Sequence, residues 1–229
     1  MTMGTDNKLL TAHQKAITKD WQLELPKLGI YENRELLRRV GPLLVGVHLA
    51  RDSAGDNYLP IFHVHFLGNN FTFLSFTLYQ KVKTDRGSDD KIKVRQHQES
   101  YKDSVRRLKE QASLSVEGPL TLREVIEAYR NFMKTPLGQC QTGILFDDCI
   151  RLMVSQGFPE EAHQMLREVL ELVPDDRWND FQNWGGRESF EKETLDIIDH
   201  PQKVWDHVEQ SLKALKVPRR VPVEEFVKD

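Results

Sequence analysis

The chain has 229 residues, 39% of them hydrophobic and 29% charged, which is the composition of an ordinary globular protein of one or two domains. Thirty-two lysines and arginines against 35 aspartates and glutamates leave a net charge of -3. That balance excludes a globally basic nucleic-acid binder and a charge-driven disordered chain. Cys140 and Cys149 match neither a zinc-ribbon nor a redox spacing, and they make no disulfide framework. Residues 1–20 contain no apolar core of signal-peptide length, and the longest apolar run, 42–47, is too short to cross a bilayer. A cytoplasmic location with no membrane partner is therefore expected.

Residues 7–20 predict an opening helix, because Leu10, His13, Ile17 and Trp21 recur at offsets of three and four. Pro26 and Gly29 end that pattern. Residues 33–40 read as a short helical or irregular piece. The period then changes to two. Leu43, Val45, Val47 and Leu49 alternate as a first strand, and residues 58–66 form a second with Phe62, Val64 and Phe66 on one face. Residues 72–83 predict a third strand and 91–95 a fourth. Their short connections favour antiparallel pairing, since a parallel crossover needs a dozen residues or more.

After Gln98 the period becomes 3.6. Residues 100–112 predict a helix with Tyr101, Val105 and Leu108 on its stripe. Gly118-Pro119 breaks the pattern. Thr121 and Glu124 then make a capping box for a helix to about residue 133. Pro136-Leu137-Gly138 reads as another break, with helices and short loops to about residue 217. The fold class expected is α+β, a four-stranded antiparallel meander followed by a mostly helical C-terminal half. Residues 1–117 are expected to hold the first helix and the sheet, 118–217 the helices, and 218–229 a tail, all within one continuous domain as the alternative.

Residues 143–176 carry a helix-length segment at 146–153, a turn at Gln156-Gly157, a second segment at 159–173 and a closing turn at Pro174. Ala162, Leu166, Val169 and Pro174 fall where small, large apolar, small or apolar, and proline residues recur in such units. On these residues the segment resembles a single tetratricopeptide repeat. Ile150 departs from the pattern, standing where the family has a small residue. The resemblance implies a helix-hairpin surface for protein partners and no catalysis. Neither flank repeats it, and such arrays bury a continuous core only over several units. A generic helix hairpin is the competing reading.

Three clusters are candidates for function. Alternation places His63 and His65 opposite Phe62 and Val64, with His48 nearby on the adjacent strand. Imidazoles so spaced suit a divalent metal, but a third ligand is needed and no acidic residue is read on that face. Lys81, Lys83, Lys91, Lys93 and Arg95 form a basic strand face, suited to nucleic acid or to protecting a sheet edge. Residues 157–200 hold twelve acidic side chains against four basic ones, interleaved with aromatics. Glu160, Glu161, Asp175, Asp176, Trp178, Asp180, Phe181 and Trp184 are the partner-binding candidates there, with charges to steer a basic protein and rings to anchor it. The neighbouring pairs Asp147-Asp148 and Glu160-Glu161 point in different directions on a helix and make poor acid–base dyads.

The chain has no phosphate-binding glycine loop, no dinucleotide fingerprint, no nucleophile elbow, no H-E-x-x-H and no calcium loop. No cofactor is expected. The favoured reading is a non-enzymatic protein-binding protein, an adaptor or an inhibitor of the immunity type. The alternatives are a metal-assisted hydrolase built on the histidines and a nucleic-acid binder built on the basic face.

Overall fold

The computed structural model describes residues 3–69, 71–174, 178 and 185–228, with the backbone alone for 3–12. The chain divides into two compact units. A sheet unit holds residues 1–65, 79–120 and 217–226, and a helical unit holds 66–78, 121–216 and 227–229. The α+β class holds: an antiparallel N-terminal meander is followed by helices.

In the sheet unit, α1 (Met3–Glu24) leads to β1 (Gly29–Glu32) and β2 (Glu35–Val40), then β3 (Leu43–Arg51) and β4 (Asn57–Phe66). The strand order is β1-β2-β3-β4-β5, with β5 at Leu78–Lys81. Residues 33–40, expected as a helical or irregular piece, are instead a turn and a strand. Arg34 takes a positive φ of 75° to close the hairpin, and β2 pairs residue by residue with β3, Glu35 opposite His48 and Val40 opposite Leu43. The strand escaped notice because Leu36, Leu37, Arg38 and Val40 are all buried, so no alternation remains to be read.

The third and fourth strands are shorter than expected. β5 covers only Leu78–Lys81, and β6 (Ile92–Lys93) pairs with the start of β4, Tyr58 opposite Ile92. Val82 meanwhile donates its amide to the Pro60 carbonyl at 3.1 Å. β5 and β6 thus follow one another along one edge of β4 rather than facing each other as neighbours.

Helix α2 (His97–Gln111) buries Tyr101, Val105 and Leu108. The Trp21 indole donates to Tyr58 Oη at 3.2 Å, and that oxygen also lies 2.7 Å from His97 Nδ1, which joins both helices to the β4 face bearing Phe62 and Val64. The closing segment, expected as a tail, lies along β2 as β7 (Val223–Glu224), in parallel pairing. Its anchor is charged. Arg38 is fully buried, donates to Glu224 Oε2 at 2.5 Å and to the Ser115 carbonyl at 2.9 Å, and so has partners for its charge.

In the helical unit, Thr121 and Glu124 form the expected capping box on α3 (Leu122–Met133). A short helix, α4 (Pro136–Gln139), occupies the expected break, started by the Thr135 hydroxyl and by proline in its first turn. The hairpin follows as α5 (Thr142–Ser155) and α6 (Pro159–Leu172), joined by Gly157 at φ 81°. Ile150, Ala162 and Val169 are fully buried within it. Helices α7 (Arg187–Asp199) and α8 (Gln202–Ala214) complete the unit. Buried Ser211 on α8 donates to the Leu67 carbonyl at 2.8 Å, fixing the turn that follows β4. Among the described residues, no helix is long and apolar enough to cross a membrane.

Candidate functional site

Alternation along β4 is as expected at its start, where residues from Asn57 to Ile61 switch between half-buried and buried. From Phe62 to Phe66 every residue is buried. His63 and His65 therefore do not lie on an open polar face: both are fully enclosed, while His48 on β3 keeps a quarter of its side chain exposed. The two rings nearest each other are bridged by a carboxylate. Glu35 Oε2 lies 2.5 Å from His48 Nδ1, and Glu35 Oε1 lies 2.5 Å from His63 Nε2. An ionised carboxylate only accepts, so each of these ring nitrogens carries the proton.

Burial pushes the Glu35 carboxyl up, but the hydrogen bonds and charge of His48 and His63 outweigh it and hold the group below its ordinary value. The expectation of a histidine face without an acidic residue is corrected on this point. Glu35 joins the two imidazoles directly, and among the described residues no three or more His, Cys, Asp or Glu side chains are grouped to hold an ion. The arrangement is a carboxylate that orients two imidazoles.

The basic residues are exposed but dispersed. Lys81 and Lys83 both pair with Asp89, at 3.5 and 2.5 Å. Lys91 precedes the two-residue β6, Lys93 ends it, and Arg95 lies in a 3-10 turn beyond it. The long fourth strand expected opposite Lys81 and Lys83 is not formed as a whole: Asp89 faces Lys83 across an isolated bridge, whereas Lys93 on β6 pairs with Asn57 of β4.

Of the acidic partner-binding candidates, Glu160 and Glu161 stand exposed in the first turn of α6. Asp175, Asp176, Asp180, Phe181 and Trp184 lie outside the described residues. Trp178 is corrected: it is 3% exposed, donates its indole N–H to the Val173 carbonyl at 3.1 Å and packs against Phe190 with ring centroids 5.5 Å apart. Its ring fills the core of the helical unit. A second acidic feature replaces it. Glu188, Glu191, Lys192, Leu195, Asp196 and Asp199 line one open groove. Their offsets of three and four place them on a single stripe of α7, with Leu195 37% exposed at its centre.

A third cluster sits in α5, where sequence reasoning saw only two carboxylates pointing apart. They do point apart, and both are buried. Asp147 accepts from Arg151 Nε at 2.9 and 2.8 Å, one helical turn away. Asp148 accepts from Tyr129 Oη at 3.2 Å, from the Asn69 amide and from the Thr77 hydroxyl. Burial, with the charge of Asp147 beside it, pushes the Asp148 carboxyl up to about 8, so it is largely protonated at neutral pH. Burial also raises Asp147, against the opposing pull of Arg151, and carries the Tyr129 and Cys149 protons well above their ordinary values. Buried ionisable groups with strongly shifted acidities beside a cleft mark a functional candidate.

That cleft holds about 230 Å3. Asp147 and Arg151 line it together with Glu193 of α7, His207 of α8, the Phe71 ring and Ile144. Arg151 reaches across to Glu193 Oε1 at 3.3 Å. His207 Nδ1 donates to the Gly68 carbonyl at 3.1 Å, which leaves Nε2 of a neutral ring as an acceptor. Comparison with protein-family models, with curated proteins and with solved structures gives no match for this chain.

Proposed function

We propose that the protein is a non-enzymatic binding protein whose helical unit engages a basic protein partner, in the manner of an adaptor or an immunity-type inhibitor. The observation that carries this reading is the α7 stripe: four carboxylates and one lysine around a partly exposed leucine. Asp196 is paired with Lys203, whereas Glu188, Glu191 and Asp199 form no ion pair among the described residues. Exposed Glu160, Glu161 and the 42% exposed Phe158 add carboxylates and an aromatic ring at the start of α6. Carboxylates at a rim steer association, and apolar side chains between them provide the contact that lasts. The basic strand residues support a nucleic-acid reading less well, since two of the five are already paired with Asp89.

A fluorescent oligoarginine peptide tests the reading. Its association rate with the protein should fall as salt rises. The combined reversal Glu188→Lys, Glu191→Lys and Asp199→Lys should slow it roughly tenfold or more. The charge-matched reversal of three exposed acids of the sheet unit, Asp85→Lys, Glu99→Lys and Asp103→Lys, should have little effect. Equal loss in both variants would reduce the interaction to net charge and remove the α7 stripe from the account.

A further inference from the structure

The cleft of the helical unit has an unbalanced charge. Arg151 serves two carboxylates at once, binding both oxygens of Asp147 through Nε and one oxygen of Glu193 through Nη2. One guanidinium against two carboxylates leaves a negative surplus. Asp147 and Arg151 are 3% and 4% exposed and spend their charge on each other, whereas half of the Glu193 side chain is open to solvent. Among the described residues, Glu193 Oε2 accepts no hydrogen bond.

His207 adds a second acceptor, because the Gly68 carbonyl holds its proton on Nδ1. Phe71 and Ile144 supply an aromatic face and an aliphatic wall. An anionic ligand would meet Glu193 and Asp147 as like charges and gain nothing from an Arg151 already engaged by both. A cation that donates several N–H groups from the end of an apolar stem meets two acceptors, a surplus negative charge and an aromatic side chain, and the one cation of the lining, Arg151, is already held by Asp147 and Glu193.

We propose that this cleft binds an alkylguanidinium or alkylammonium group, held by Glu193 and His207 and laid along Phe71 and Ile144. The group has two sources, a free small amine or an arginine or lysine side chain presented by a protein. Only the second rests on the reading of the helical unit as a surface for a basic partner.

The test uses the full chain and three probes in calorimetry: methylguanidinium chloride, ethylammonium chloride and the oligoarginine peptide, with sodium chloride at equal ionic strength as the blank. Glu193→Gln removes the charge at a half-exposed position and leaves the Asp147–Arg151 pair in place, and Glu171→Gln is the exposed control. Methylguanidinium or ethylammonium should bind the wild-type protein, and Glu193→Gln should weaken that binding about tenfold, the loss of one charge-assisted hydrogen bond. A parallel loss for oligoarginine would support the protein-borne source. An unchanged oligoarginine affinity beside weakened small-cation binding would support the free amine. If neither small cation binds, or if Glu193→Gln binds them as tightly as Glu171→Gln does, the proposal is overturned. Salt-dependent oligoarginine binding through α7 would still stand in that case, so failure here is distinct from failure of the partner reading.

Discussion

Replacing Glu35 by alanine is expected to destabilise the protein by about 3–5 kcal/mol, the usual consequence of removing one member of a buried, hydrogen-bonded charged group. Glu35 is 5% exposed and its two oxygens are the acceptors for His48 and His63. Without it, the proton that His63 directs at the carboxylate faces an empty space inside a fully enclosed site. Glu35→Gln preserves the volume and one acceptor oxygen, and should cost less than half as much. The pH dependence has a defined sign. Because the folded carboxyl is held below its ordinary value, its contribution is fully present above about pH 4.5 and is lost as pH falls through the folded value. Urea unfolding of the wild type and Glu35→Gln across the acid range checks this. The difference between them should shrink as the medium becomes more acidic.

Asp148→Asn is expected to act in the opposite direction. The folded carboxyl is raised from 3.8 to about 8, so between those limits the folded protein binds a proton that the unfolded chain does not. Stability from this group is present at low pH and is lost as pH rises, by up to about 1.4 kcal/mol per pH unit. Asparagine is uncharged at every pH and keeps the shape. It can still accept from the Tyr129 hydroxyl, which lies 3.2 Å from Asp148 Oδ2. The variant should match the wild type in mild acid, exceed it in stability in mild alkali, and show a flatter pH profile. A variant whose profile parallels the wild type at every pH would mean that Asp148 is ionised in its buried place.

The two sites differ in how much of them could be read from the residue order. The capping box at Thr121 and Glu124 was legible because its hydrogen bonds span three residues. The side on which His63 lies was legible too, since alternation fixes it. The environment was not, because period two reports which residues share a face and says nothing of what covers that face. Glu35 was missed with its strand, whose uninterrupted burial from Glu35 to Arg38 erased the alternation. Asp147 and Arg151, four apart on α5, form a local pair that helical spacing offers. Tyr129, Asn69 and His207 are brought to the same unit by tertiary folding alone. Asn69 is 79 positions from Asp148 along the chain, and no pattern announces such a contact. Trp178 shows the converse: a tryptophan among carboxylates reads as an interface anchor until its ring is found against Phe190 in the core.

The claim that the helical unit receives a basic partner is tested most directly by amide chemical-shift mapping with the oligoarginine peptide at low salt. The account predicts perturbations concentrated on α7, on the first turn of α6 and around Glu193 and His207, and abolished at high salt. Perturbations centred on the sheet unit, or none above those caused by salt alone, would contradict it.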